Sequence, residues 1–459
     1  MPDQRPTRVR WQVLAILTLV MVVTALGRLN LGIAAKFMQD EFNFSTGTMG
    51  WILGAFAFGY ALFQIPCGWA GDRYGPRATL TVALAWWGGC TMLMSVLPSL
   101  WRSPLALGWS FALLRLFTGA GEAASYPNAN KIVAWWTSTR ERGLGSSLLL
   151  GGVGFGGIVA PLIFAATNQR LGWRSSFVVT GVLALIIAAI WFLYSTNRPE
   201  EHPKVNFAEL EILGSAHHTG GAHSFRLKGT PWRKMLSRGS VWALILSYFC
   251  HGYTPYIYFT WFFVYLTRVR GLTVTKGAFW GTTPFISMTL MALLGGWLSD
   301  KAVVRLGRRR GRQSTAFAGM TISALLLLAG SHAVGTASAV LLLSAAAGFS
   351  SFAAPSWWAS CIDMTPNYSG SLSGLMNTCA NIAGGIAPVL TAAIATRFGW
   401  TQALDFAATV SFAAGIIWLF VNADSKLESE DPTSTAHGTL LPVAASNAAS
   451  SVAVRWRRQ

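Results

Sequence analysis

The chain has 459 residues, of which 53% are hydrophobic and only 11% are charged. Soluble domains carry roughly 25% charged residues, so this chain has too few charges to cover a folded surface in water. The net charge of +18 could indicate nucleic acid, but the basic residues lie in short segments between long apolar runs. That placement excludes a nucleic-acid partner and indicates a protein whose solvent is the lipid bilayer.

The apolar runs predict an all-α membrane protein. A membrane-spanning helix needs about 20 mostly apolar residues, and twelve runs meet that length. We number them span 1 to span 12. In chain order they cover residues 11–35, 48–70, 78–98, 104–130, 143–168, 174–195, 239–267, 276–299, 313–332, 336–360, 369–395 and 401–421.

The polar segments between the runs predict the domain organisation. Residues 1–195 and 239–421 each hold six spans, and residues 196–238 form a linker between them. We expect the Ala/Ser/Thr-rich tail, residues 422–459, to be disordered. With the N-terminus in the cytoplasm, 25 of the 35 Lys and Arg residues fall in cytoplasmic segments and 8 on the opposite side. This split follows the positive-inside rule and predicts that both termini are cytoplasmic.

The second half of the chain repeats the first. Proline, arginine, tryptophan and aspartate residues recur at a spacing of 227 or 228 positions. The matched pairs are Pro161 and Pro388, Arg170 and Arg397, Trp173 and Trp400, Asp72 and Asp300, and Pro127 and Pro355. The repeat predicts a duplicated six-helix unit in two pseudo-symmetric bundles. Transporters use such repeats to build a site at the middle of the bilayer between two rocking halves.

The sequence predicts neither a metal site nor a bound cofactor. All five cysteines lie within apolar runs or at their ends, and none forms a CxxC pair. Four of the seven histidines fall in the linker without compact ligand spacing. We therefore expect buried thiols, a solvated linker and no resident group other than a coupling proton.

Three ionisable residues lie deep inside apolar runs: Arg28 in span 1, and Arg115 and Glu122 in span 4. Each costs about 2.5–3.5 kcal/mol at the bilayer centre on insertion scales. Such groups either form a buried ion pair that fixes helix packing or line a substrate pathway, and the duplication favours the pathway. Two arginines with one glutamate leave a net positive site, which favours an anionic substrate. The lone carboxylate is the candidate proton carrier.

Three stretches resemble a known family. GWAGDRYGPR (68–77) resembles the major facilitator signature between spans 2 and 3, and GGWLSDKAVVRLGRRRGR (295–312) resembles its second copy. RLFTGAGEAASYPNANKIVAWW (115–136) is similar to span 4 of the anion:cation symporter family. That family includes bacterial galactonate, hexuronate and glucarate transporters and animal vesicular glutamate and sialic acid carriers. The resemblance extends over about residues 10–420.

The resemblance implies a role for each matching residue. Arg28 binds the substrate carboxylate, Glu122 carries the proton and Arg115 is its switching partner. The other implied substrate-binding residues are Tyr60, Gln64, Tyr256, Trp358, Asn377 and Asn381. A conformational gate on the cytoplasmic side is implied at Asp72, Arg73, Arg77 and Asp300.

One position departs from the family pattern. Bacterial sugar-acid members usually carry an aspartate just before the arginine of span 1, and this chain has Gly27 there. A mechanism with two carboxylates therefore cannot operate as it does in those members. Proton coupling then depends on Glu122 alone, with a different stoichiometry or with weaker coupling.

These observations predict a monomeric, multi-pass transporter in the inner (plasma) membrane. It takes up a small organic anion by proton symport with alternating access. The leading candidate substrate is a sugar acid such as a hexonate or hexuronate. The alternatives are a carrier of aromatic or dicarboxylic acids, and an exchanger or uniporter with weak proton coupling. An enzyme would need a nucleophile, a metal cluster or paired carboxylates, none of which is visible. A channel needs neither the paired motif nor two rocking halves.

Overall fold

The computed structural model describes residues 5–100, 103–138, 141–217, 232–365 and 369–424. Within these ranges the protein is built from helices without a β-strand, as the composition predicts. Eight of the described helices are long and apolar enough to cross a membrane unbroken. One of these eight helices consists of two spans joined at a kink, so the eight helices contain nine spans. Three further spans, which are shorter or interrupted, bring the number to twelve.

The first half contains spans 1 to 6. They are Val9–Phe42, Thr46–Tyr74, Pro76–Leu100, the two pieces Pro104–Glu122 and Ser125–Trp136 of span 4, Arg142–Leu171 and Trp173–Tyr194. The described part of the linker contains a short 3₁₀ turn, Pro199–Glu201, and the helices Phe207–His217 and Trp232–Leu236.

The second half contains spans 7 to 12. Span 7 is Gly239–Thr260, continued by Phe262–Val264 and a π-helical turn, Tyr265–Val269. Span 8 starts as Val274–Gly281 and enters the long helix Thr283–His332, which also contains span 9. Spans 10, 11 and 12 are Thr336–Met364, Ser369–Phe398 and Trp400–Trp418. The predicted twelve spans in two six-helix bundles are confirmed.

Glycines with positive φ angles separate neighbouring spans. Gly307 has φ +80° and bends the long helix between spans 8 and 9. Gly172 and Gly399 have φ +80° and +100° between spans 5 and 6 and between spans 11 and 12. Only glycine adopts this conformation without strain. Because Gly172 and Gly399 are 227 residues apart, the sequence repeat is also a repeat of backbone geometry.

Span 4 breaks beside its buried carboxylate. The first piece ends at Glu122, and the second begins at Ser125 after a turn at Ala123 and Ala124. Pro127 explains the break, since proline lacks an N–H and its ring clashes with the carbonyl four residues earlier, that of Ala123. The proline thus separates the segment with Arg115 and Glu122 from the rest of the span.

The two halves meet at one side of the membrane and part toward the other. We call the side on which span 1 begins the near side, and the opposite side the far side. In span 2, residues 52–57 toward the far side are buried on every face of the helix. Toward the near side, Leu62 and Ile65 are 69% and 67% exposed. Both halves therefore enclose span 2 in its far portion and leave it open in its near portion.

The linker is anchored to the first half through a buried carboxylate. Glu209 accepts hydrogen bonds from the backbone N–H groups of Val9 and Arg10 at 3.2 and 3.1 Å, which caps the start of span 1. The Arg10 guanidinium bridges Glu209 at 3.2 Å and Glu141 at 3.1 Å. The described linker segment before residue 218 therefore belongs structurally to the first half.

One ion pair joins the halves across the far side within the described residues. Asp40 at the end of span 1 pairs with Arg268 at the end of span 7. The neighbouring Glu41 instead pairs within the first half, with Arg174 at 2.5 Å and with the indole N–H of Trp173 at 2.7 Å. Two adjacent carboxylates thus serve different purposes, one between the halves and one inside a half.

We expect Asp40→Asn to shift the protein toward a far-side-open form by up to about fivefold, because an exposed ion pair contributes about 0.2–1 kcal/mol. Spin labels at Leu105 and Val334, on the far ends of the two halves, report this change as a longer distance. Exchanging the charges in Asp40→Arg with Arg268→Asp should restore the distance. Glu41→Gln should leave it unchanged, and an equal effect of Glu41→Gln would contradict the assignment.

Candidate functional site

Close packing of spans 2 and 4 brings the buried charges of the first half together. Gly59 lies against the Leu116 backbone, and Gly119 lies against the Phe56 backbone, so closely that a Cβ on either glycine would collide with the opposite helix. This approach places the aromatic face of span 2 directly against the charged face of span 4. Both spans pack near span 1 at the depth of Arg28.

Arg28 and Glu122 form the central ion pair. The Arg28 Nε donates to Glu122 Oε1, and Glu122 is fully buried while the Arg28 side chain is 18% exposed. Arg28 is therefore the more accessible member of the pair. Neither group uses its full bonding capacity, because Arg28 Nη2 and Glu122 Oε2 are buried without a partner in the described part of the chain.

Aromatic rings surround the two guanidinium groups. The Arg28 Cζ lies 4.9 Å from the ring centroid of Tyr60 and 5.9 Å from that of Tyr126. The Phe56 ring serves both arginines, with Arg115 Cζ at 4.6 Å and Arg28 Cζ at 5.7 Å. Cation–π contacts of this kind stabilise a cation that has lost its water. They also leave the N–H groups at the guanidinium edge able to bind an anion.

Arg115 is held apart from the ion pair. Its side chain is buried, and its Nε has no hydrogen-bond partner among the described residues. With Glu122 ionised, Arg28, Arg115 and Glu122 together carry one net positive charge. With Glu122 protonated they carry two, so the site attracts an anion in either state and attracts it more strongly after protonation.

The second half contributes polar groups through Tyr256. The Tyr256 side chain packs against the cluster of Phe56, Ala57 and Tyr60 in the first half. Its hydroxyl donates to Asn381 Oδ1 at 2.8 Å, and Asn381 Nδ2 donates to the Asn377 carbonyl at 2.8 Å. Tyr256 thus connects the charged site of the first half with the amides of span 11.

The structure does not gather every expected substrate-binding residue at the ion pair. Gln64 lies one turn beyond Tyr60 on span 2, and its Oε1 is buried without a partner. Trp358 on span 10 instead donates its indole N–H to the Tyr248 hydroxyl at 3.2 Å. Tyr248 also stacks on His251, so Trp358 packs in an aromatic group of the second half.

The expected gate residues make contacts inside their own halves. Arg77 donates to the Phe192 carbonyl from Nε at 3.1 Å, Asp300 pairs with Arg312 at 2.9 Å, and Arg73 is exposed. The side chain of Asp72 lies outside the described residues. No described ion pair crosses between the halves on the near side, where they stand apart in this conformation.

Three aromatic residues of this region were not among the sequence predictions. Phe56 lies four residues before Tyr60 on one helix and so shares a face with it, and Tyr126 lies four residues after Glu122, just beyond the turn in span 4. That spacing is the signal that could have identified them. Tyr248 had no comparable signal, because its contact with Trp358 depends on how spans 7 and 10 pack.

Gly27, which precedes Arg28 in span 1, packs against a tryptophan ring. A Cβ at Gly27 would lie 3.1 Å from the ring of Trp87, a fully buried residue of span 3. The indole therefore fills the space that an aspartate side chain would need. The packing around Gly27 therefore leaves no room for a carboxylate at this position.

Comparison with known proteins identifies the fold. The chain is similar to a protein named "Probable sulfoacetate transporter" from Cupriavidus necator, at 28% identity over 85% of this chain and 89% of that protein. It is also 28% identical to a D-galactonate transporter of Escherichia coli O6:H1, over 92% and 97% of the two chains. It is 30% identical to a probable chloroplastic anion transporter of Oryza sativa subsp. japonica, over 91% and 70%.

Solved structures agree on the architecture. The fold matches a bacterial homologue of the human lysosomal transporter Spinster, in an inward-facing and occupied conformation, with a TM-score of 0.73 and 18% identity over 91% and 97% of the chains. A D-xylose–proton symporter matches with a TM-score of 0.70 and 16% identity over 91% and 99%.

We expect Arg28→Lys to weaken anion binding by roughly 10- to 100-fold, since losing a charged hydrogen bond costs about 1.5–3 kcal/mol. Lysine keeps the charge but loses the planar fork and the stacking on Tyr60. Titrating the purified protein and the variant with an anion that the unmodified protein binds measures the change in affinity. Lys36→Arg, on the same span but away from the site, is the control. Unchanged affinity in Arg28→Lys would show that the fork does not contact the anion.

The twelve-span architecture, the paired signature stretches and these relatives agree with a family model that matches residues 17–388 and 282–457. This protein is a membrane transporter and not an enzyme, and the chain belongs to the Major Facilitator Superfamily.

Proposed function

We propose that this protein takes up a small organic anion by symport with a proton, with a sugar acid, a hexonate or hexuronate, as the first candidate substrate. The observation that carries the proposal is the Arg28–Glu122 pair near the middle of spans 1 and 4, with one guanidinium nitrogen and one carboxylate oxygen that have no partner among the described residues. Relatives that carry D-galactonate and other anions support the choice of substrate class.

The pair couples proton and anion by competition. While Glu122 is ionised it holds Arg28, and an incoming carboxylate must compete with it. A proton on Glu122 removes the negative charge, frees the Arg28 fork and leaves two positive charges for the substrate. Proton binding therefore favours anion binding, which is the requirement for symport. Tyr256 and Asn381 of the second half then contact the anion and draw the halves together.

The distribution of basic residues supports one orientation in the membrane. The near side carries the linker and most of the basic residues, so we place it in the cytoplasm and the protein in the inner (plasma) membrane as a monomer. The halves are parted on this side, so the present conformation releases its substrate inward.

A dianion is the second candidate. Arg115 Nε lacks an acceptor, and the site carries two positive charges once Glu122 is protonated. A thermal-unfolding screen with galactonate, glucuronate, glucarate, phthalate and glutamate separates the candidates. A ligand at 100 times its Kd stabilises the folded state by about 2.7 kcal/mol. Stabilisation by galactonate or glucuronate supports a sugar acid, whereas stabilisation by phthalate or glucarate alone supports the dianion.

We expect Glu122→Gln to abolish proton-driven uptake while preserving exchange of anion between the two sides of a liposome. Glutamine resembles the protonated acid, so Arg28 stays available for substrate but no proton can be carried. Uptake driven by a pH gradient and counterflow into preloaded liposomes measure the two activities. Glu211→Gln, on the exposed face of the linker helix, is the matched control. Full gradient-driven uptake by Glu122→Gln would refute the proton role.

We also expect uptake of a monoanion to be electroneutral. Glu122 is the single carboxylate of the site among the described residues, so one proton accompanies one anion and no net charge moves. A pH gradient should then drive uptake into liposomes, and a potential imposed with potassium and valinomycin should not change the rate. Acceleration by an inside-negative potential would reveal a second proton-carrying group.

A further inference from the structure

Two aromatic rings lie on glycines across the boundary between the halves. Phe58 of span 2 faces Gly385 of span 11, where a Cβ would lie 2.9 Å from the ring. Phe285 of span 8 faces Gly157 of span 5, where a Cβ would also lie 2.9 Å from the ring. Each ring comes from one half and each glycine from the other, so a side chain on either glycine would push the halves apart.

The internal repeat relates these two contacts. Phe58 and Phe285 are 227 residues apart, and Gly157 and Gly385 are 228 residues apart. The first half therefore supplies one ring and one glycine, and the second half supplies the other ring and the other glycine. The two contacts form a pair around the pseudo-twofold axis between the bundles. We call them the ring seats.

A second glycine packs across the boundary between the halves beside each ring seat. Gly54, one turn before Phe58, lies so near to the backbone of Gly385 that a Cβ would collide with its carbonyl. Gly281, one turn before Phe285, lies against the Pro161 ring, at 3.5 Å from the position of a Cβ. Neither seat is tied by a described hydrogen bond between the halves. A flat ring on a bare backbone can therefore tilt without breaking a polar contact.

We infer that the two ring seats set how closely the halves approach, and that they control the closing of the far side. The seats lie near the middle of their spans, where rocking of one bundle against the other moves atoms least. A methyl group at a seat acts as a wedge, which keeps the far ends of the bundles apart. This inference rests on the two moving halves and is independent of the substrate and of proton coupling.

The test uses the complete chain with its five native cysteines replaced and with spin labels at Leu105 and Val334. Gly385→Ala should raise the far-side-open population by roughly tenfold or more, because inserting a methyl group into close packing is strongly unfavourable. Adding Phe58→Ala to Gly385→Ala should restore the original distance distribution. Adding Phe285→Ala should not, since that ring belongs to the other seat.

The second ring seat, formed by Phe285 and Gly157, allows the same experiment to be repeated independently. Gly157→Ala should open the far side, Phe285→Ala should rescue it and Phe58→Ala should fail to do so. If a glycine variant does not fold, Phe58→Ala and Phe285→Ala alone still test the inference, since each removes a ring and should broaden the far-side distances.

A glycine contact inside one half provides the matched control. A Cβ at Gly88 in span 3 would lie 2.9 Å from the Ala184 side chain in span 6, the same closeness within the first half. Gly88→Ala should lower the unfolding temperature and leave the label distances unchanged. The inference is overturned if the seat variants keep the original distances, if either phenylalanine rescues both glycines equally, or if Gly88→Ala opens the far side as well.

Discussion

The arrangement of the first half depends on keeping three ionisable side chains in a medium that disfavours them. Each isolated charge would cost several kcal/mol in the bilayer interior, and burying a pair does not by itself recover that cost. The protein combines three devices: the Arg28–Glu122 pair, the rings of Tyr60 and Phe56, and the close packing of spans 2 and 4. The remaining bonding capacity points to the function, because a fully satisfied cluster would bind nothing.

The duplicated halves have diverged in chemistry while keeping their geometry. Pro127 breaks span 4 beside Glu122, whereas its repeat partner Pro355 lies within the continuous span 10. The first half carries the charges, and the second half supplies the hydroxyl of Tyr256 and the amide of Asn381 to the same site. The two bundles therefore contribute different chemical groups to the same site.

The sequence determined the parts of the structure that follow from local composition. The twelve spans were predictable because hydropathy over about 20 residues is a local property, and Arg28, Arg115 and Glu122 were identifiable because nothing else explains charge in an apolar run. The choice of partner was not predictable. Glu122 pairs with Arg28, while Arg115, the expected switching partner, stacks on Phe56. That choice depends on the rotation of span 1 against span 4, which no single segment encodes. The far-side pair of Asp40 and Arg268 depends in the same way on the packing of both halves.

The distribution of strong and weak contacts explains how such a molecule can switch. The buried charged contacts each lie within a single half: Glu209 on the start of span 1, Arg28 on Glu122, and Arg312 on Asp363. The described polar contacts between the halves are the exposed pair of Asp40 and Arg268 and long hydrogen bonds such as Thr275 to Gln169 at 3.5 Å. A transporter must populate both conformations, so their free energies can differ by only a few kcal/mol. Strong contacts within each bundle keep it rigid, and weak contacts between the bundles keep the two conformations close in energy. A ligand that binds one conformation more tightly than the other can then shift the balance between them.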